Sequence, residues 1–176
     1  MDSLTKELDN FINGGNLIVS TKLENYESLW TDTIGYFVGK KLPGVVVSIV
    51  KSYTTLVKTF EANKIDTKNL TFIDSVTYNE EKREGNCIYL EKPFNPTYVS
   101  VVLESFVKDP KIKFFIFDSL SSFLIYQPLA IVKFFHFSFS QLSNNNKIGI
   151  VFDTNIDTSK KEIVVISQAC NKLLII

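Results

Sequence analysis

The sequence predicts an α/β fold, a three-layer arrangement in which a mostly parallel, twisted sheet carries helices on both faces. Three observations predict it. Nearly continuous apolar runs, residues 45–50 and 113–118 above all, have the pattern of strands covered on both sides. Segments in which apolar residues recur at helical spacing lie between such runs. The two kinds of segment alternate along the chain, which implies right-handed crossovers between parallel strands.

Taken in order, residues 3–12 read as a short amphipathic helix, with Ser3 as its cap and Leu4, Leu8, Phe11 and Ile12 on one face. Gly14 and Gly15 end it. Residues 17–20 make a first strand, after which Tyr26, Leu29, Trp30, Thr33, Phe37 and Val38 recur at helical spacing until Pro43 and Gly44 stop the helix. Residues 45–50 make the second strand, and Ser52 caps a helix carrying Leu56, Val57 and Phe60. A third strand at 70–76 and a helix at 97–108, placed after Pro96, follow. Strand 113–118, helix 128–142, strand 147–152, helix 157–170 and a closing strand 173–176 complete the alternation. Residues 77–95 read as a surface excursion, with Glu80, Glu81, Lys82, Arg83 and Glu84 clustered before Gly85 and a brief apolar run at 87–90.

With 176 residues the chain fits one domain, 1–176, able to bury roughly two thirds of its unfolded surface without a disulfide or metal staple. Its 45% hydrophobic and 22% charged residues exclude a disordered chain. Lys plus Arg equals Asp plus Glu, 19 each, so no net field gathers polyanions, which argues against a nucleic-acid binder. Cys87 and Cys170 form no CxxC and are expected to be reduced, structural thiols. No basic-then-apolar leader opens the chain, and Asp118, Gln127, Lys133 and His136 interrupt the apolar stretch 114–139. The expectation is a cytoplasmic protein with no membrane partner.

The chemistry-bearing residues are few. His136 stands alone among phenylalanines and reads as structural. Asp153 and Asp157 flank Asn155 without the glycine and distal glutamate of a calcium loop, so they read as turn and cap residues. No metal site and no cofactor are predicted. Phe134, Phe135, Phe137 and Phe139 spread over about 200° of one helix at about 100° per residue, wider than the roughly 100° stripe that faces a sheet. A second cover is therefore expected: the 77–95 excursion, the N-terminal helix or a subunit interface.

In such a sheet the first strand-to-helix loop is the usual phosphate cradle. A phosphate-binding loop reads GxxxxGK[ST], because bare backbone wraps the phosphates, the lysine neutralises them and the hydroxyl holds magnesium. Residues 21–28 occupy that window. Thr21 and Tyr26 stand at the glycine positions, Glu27 puts negative charge at the lysine position, and Ser28 alone keeps its hydroxyl. An apolar strand ending in Asp118, followed by Ser119, supplies the second element of such sites.

The order of elements and the wording of residues 115–126 (FIFDSLSSFLIY), 132–137, 72–77 and 170–176 resemble the RecA superfamily, and within it the archaeal KaiC-like proteins. The resemblance implies a RecA-like P-loop NTPase core. It implies acidic residues just past the second strand in members that hydrolyse ATP, where this chain has Lys51 and Ser52. Thr21, Tyr26, Glu27, Ser28, Lys51, Ser52, Asp118 and Ser119 are thus expected to form a vestigial nucleotide site with no catalytic residue. The function expected is that of an inactive RecA/KaiC-like domain, an interaction or regulatory module that binds its own kind or an active family ATPase. A nucleotide or small-molecule sensor and an accessory factor in DNA recombination are the alternatives.

Overall fold

The computed structural model describes residues 2–77, 83–90, 95–126, 128–154, 156–157 and 159–176. The expected Glu80, Glu81 and Lys82 cluster, Gln127 and Asn155 lie outside the described residues. The elements run α1 (Asp2–Asn10), β1 (Gly15–Thr21), α2 (Leu23–Gly39), β2 (Gly44–Ser48), α3 (Tyr53–Ala62) and β3 (Leu70–Asp74), with a 3₁₀ turn at Thr67–Asn69. They continue as β4 (Arg83–Glu84), β5 (Cys87–Tyr89), α4 (Pro96–Lys108), β6 (Phe114–Asp118), α5 (Leu120–Tyr126), α6 (Pro128–Asn144), β7 (Ile148–Thr154), α7 (Lys161–Gln168) and β8 (Lys172–Ile175).

The strands form one eight-stranded sheet in the order β4-β5-β3-β2-β6-β7-β1-β8. Every pairing is parallel except β4 with β5. The apolar strands feed two separate cores, because successive side chains point to opposite faces. Val45, Val47, Phe115, Phe117 and Val151 pack beneath α4, α5, α6 and α7. Val46, Phe72, Phe114, Ile116 and Ile150 pack beneath α1, α2 and α3. The α/β fold with a mostly parallel sheet is therefore as the alternation predicts.

Several boundaries differ from the sequence reading. Helix α1 begins at Asp2, so Ser3 lies inside it rather than capping it. Helix α2 stops at Gly39, before Pro43, where Lys41 takes a positive φ of 57°, and Gly44 already belongs to β2. The last helix starts at Lys161, because the Asp157 carboxylate holds a turn by accepting from the Ser159 N–H and hydroxyl at 3.0 and 2.6 Å. The described part of the 77–95 excursion is less of a loop than its polarity suggests. Strand β5 adds in parallel to β3 and buries Cys87 and Tyr89.

Helix α5 adds to the covers expected for the phenylalanine-rich helix, and the N-terminal helix drops out of them. Phe134, Phe135 and Phe139 are buried in a core that also takes in Leu90 from the described part of the excursion, whereas α1 lies on the other face and does not cover them. Helix α5 adds a cover, its fully buried Phe123 stacking on Phe134 at 6.3 Å between ring centroids and meeting Phe135 edge-on at 5.4 Å. Phe137 alone stays exposed. His136 is exposed on α6. Both cysteines are free, and burial pushes each thiol pKa up to about 12, as suits inert thiols. Among the described residues no helix is long and apolar enough to cross a membrane.

Removal of the α5 cover should be costly. Phe123→Ala is expected to destabilise the chain by about 3–5 kcal/mol in urea unfolding, the usual range for emptying a buried phenylalanine site.

Candidate functional site

The chain leaves β2 through α3 on one face and leaves β6 through α5 and α6 on the other, in opposite directions across the sheet. A crevice opens at the carboxyl ends of two neighbouring strands that part in this way. The register lines up Asp74, Ser48 and Asp118 as the last residues of β3, β2 and β6. All three point to the α2 and α3 side, since Phe72, Val46 and Ile116, two residues earlier in each strand, belong to that core.

Local structure engages each of the three. The Asp74 carboxylate accepts the Tyr53 N–H at 2.7 Å, which anchors the first residue of α3, and the Val76 and Thr77 N–H groups at 2.7 and 2.9 Å. Ser48 Oγ donates to the Lys51 carbonyl at 2.7 Å and accepts the Lys51 N–H at 3.1 Å, closing the turn after β2. Asp118 accepts a hydrogen bond from the Tyr26 hydroxyl. The peptide bond between Asp118 and Ser119 is cis.

Tyr26 reaches Asp118 because β1 runs almost directly into α2. Lys22 is the single residue between them, and its side chain makes no capping hydrogen bond. The Tyr26 ring crosses the end of β7, meeting Phe152 edge-on at 6.2 Å. Burial raises the Tyr26 pKa well above the usual phenol value, and the neighbouring Asp118 charge adds to the shift. Burial likewise raises the Asp118 pKa, while the Tyr26 hydrogen bond and the Lys51 charge oppose it. At the mouth, Lys51 Nζ pairs with Glu27 Oε2 at 3.1 Å and lies 5.8 Å from the centre of the Trp30 ring.

The crevice thus gathers Tyr26, Glu27, Lys51 and Asp118 from the expected set. Ser119 joins them, sharing a hydroxyl contact with Ser122 at 3.0 Å. The other three residues go elsewhere. Ser28 Oγ donates back to the Asn25 carbonyl at 3.0 Å, Ser52 Oγ accepts the Thr55 N–H to cap α3, and Thr21 is buried beside α1 and α2. Asp153 serves the opposite face, accepting the Ser121 N–H at 2.8 Å in the first turn of α5. Sequence reasoning missed Ser48 and Asp74, although the acid ending the run 70–74 repeats the signal that marked Asp118. Among the described residues no cluster of three or more His, Cys, Asp or Glu side chains could hold a metal.

The Tyr26 to Asp118 contact has a pH signature. Asp118 holds its proton more tightly folded than unfolded, in a window running upward from the ordinary aspartate value of 3.8. The stability this proton contributes is present below that value and lost as pH rises through the folded pKa. Because the Tyr26 hydroxyl favours the ionised carboxylate, Tyr26→Phe is expected to move the upper edge of the window higher. It should cost about 1.5–3 kcal/mol at pH 7 and distinctly less near the lower edge, as measured by urea unfolding at both pH values.

No family model and no curated protein matches the sequence. Solved structures do match. The KaiC-like protein PH0186 from the hyperthermophilic archaeon Pyrococcus horikoshii OT3 has a TM-score of 0.62 at 13% identity, over 95% of this chain and 75% of that one. The flagellar accessory protein FlaH from Methanocaldococcus jannaschii has a TM-score of 0.56 at 15% identity, over 96% of this chain and 76% of that one. At these identities the likeness is one of architecture, and in architecture this chain has the fold of the RecA/KaiC-like ATPases.

Proposed function

We propose that this chain is a RecA/KaiC-like domain without ATP hydrolysis that works by binding protein, either a second copy of itself or an active ATPase of the same fold. The observation that carries this reading is the Tyr26 phenol seated in the crevice on Asp118, with one residue joining β1 to α2. A triphosphate cradle needs several consecutive backbone amides turned inward before the helix begins. A one-residue junction has no length for that wrap. Glu27 adds negative charge at the same end of α2, and Lys51, whose charge acts on Asp118, is engaged by Glu27. Phosphoryl transfer depends on positioning and charge stabilisation, and these substitutions oppose both.

A groove of about 430 Å³ favours a second reading, a sensor that binds a small molecule without hydrolysing it. It lies at the carboxyl end of β7, lined by Ser121, Asp153, Thr154, Asp157 and Lys160, and by Leu124 and Ile163. Its volume suits a small ligand. Calorimetry with ATP, ADP, GTP and cyclic dinucleotides tests its nucleotide form, and absence of heat removes that form.

For the principal reading, purified protein with ATP and magnesium is expected to release phosphate no faster than buffer, and Asp118→Asn is expected to leave that rate unchanged. Magnesium-dependent turnover abolished by Asp118→Asn would falsify it. Salt-dependent binding of single-stranded DNA near physiological ionic strength would instead favour a nucleic-acid role.

A further inference from the structure

The two edges of the sheet differ in how they are guarded. Exposed strand edges invite pairing with another chain, and proteins blunt them by shortness, charge, proline or bulges. Among the described residues strand β4 closes one edge with Arg83 and Glu84, both exposed and charged. Strand β8 closes the other with the sequence Lys-Leu-Leu-Ile, and Ile176 follows. Its single charge, Lys172, is already taken by Glu7 of α1 at 2.6 Å. Ile175 is 68% exposed and Ile176 is 44% exposed.

The strand is also held firmly in place. Asn171 locks its entry to β1, donating its N–H to the Asn16 carbonyl at 2.8 Å and accepting the Asn16 N–H on its side chain at 2.7 Å. At the other end the Ile176 N–H donates to the Ser20 carbonyl at 2.9 Å. Leu173 packs on the α7 side and Leu174 on the α1 side. A preorganised edge of this kind loses little freedom on pairing.

We propose that β8 is a self-association site, pairing antiparallel with β8 of a second copy across a twofold axis at Leu174. This rests on the self-binding form of the reading above and names its surface. Antiparallel register about Leu174 sets Leu173 opposite Ile175 of the other copy, and Ile175 opposite its Leu173, all on the α7 side. Leu174 meets Leu174, and Lys172 meets Ile176, on the α1 side. Aliphatic pairs stabilise a ladder and like charges facing one another destabilise it. The antiparallel arrangement is isologous, each copy presenting the same residues to the other.

The test uses the whole chain in light scattering over a dilution series, with hydrogen exchange read on the amides of residues 172–176. The expected result is a dimer whose 172–176 amides lose protection on dilution, and an Ile175→Lys variant with unchanged circular dichroism whose dimer dissociates roughly tenfold more readily. If Ile175→Lys fails to fold, the exchange arm on the unaltered chain decides. A dimer whose 172–176 amides exchange alike at all concentrations overturns the β8 site and leaves self-association standing elsewhere. A monomer at every concentration overturns both this site and self-association.

Discussion

The step from β1 into α2 takes one residue, and much of what distinguishes this molecule follows from that length. With Lys22 as the whole connection, the first turn of α2 lies directly over the carboxyl ends of the central strands. Tyr26 is then close enough to put its hydroxyl on Asp118 and its ring against Phe152. A longer connection would lift the helix start away from the sheet and leave the Asp118 carboxylate, which is nearly fully buried, without its donor. An unsatisfied charge in that position is costly, so the short junction and the tyrosine support one another.

The acids at the strand ends show how far an α/β crevice can be committed to architecture. Asp74 spends its two oxygens on three backbone N–H groups, fixing both the start of α3 and the turn after β3. Asp153 fixes α5 from the other face. Ser48 closes the turn that presents Lys51. Each arrangement satisfies groups that would otherwise be buried without partners.

The alternation of apolar strands and periodic helices was plain in the sequence because a parallel sheet covered on both faces needs strands that are apolar throughout, as 45–47 and 114–117 are. The window holding Tyr26, Glu27 and Ser28 and the acid at 118 were legible for the same reason: strand ends are where such folds place polar groups. Helix α5 was hidden. Its Ser121 and Ser122 continue the serine run begun at Ser119, and its apolar residues run on toward Pro128, so no boundary shows. Strand β5 was hidden because three residues carry no reliable period. The partnerships Tyr26 with Asp118, Glu27 with Lys51 and Asp74 with Tyr53 join residues far apart in the chain, and composition or spacing carries no record of them.

Trp30 gives the crevice a built-in optical reporter. It is the chain's single tryptophan, buried with its ring stacked on Phe60 at 5.2 Å and the Lys51 ammonium near its face. A cation near an indole face perturbs its π system, so intrinsic emission is tied to where Lys51 sits. Any event that draws Lys51 from Glu27, or swings α2 outward, changes the colour or intensity of that emission without a label attached.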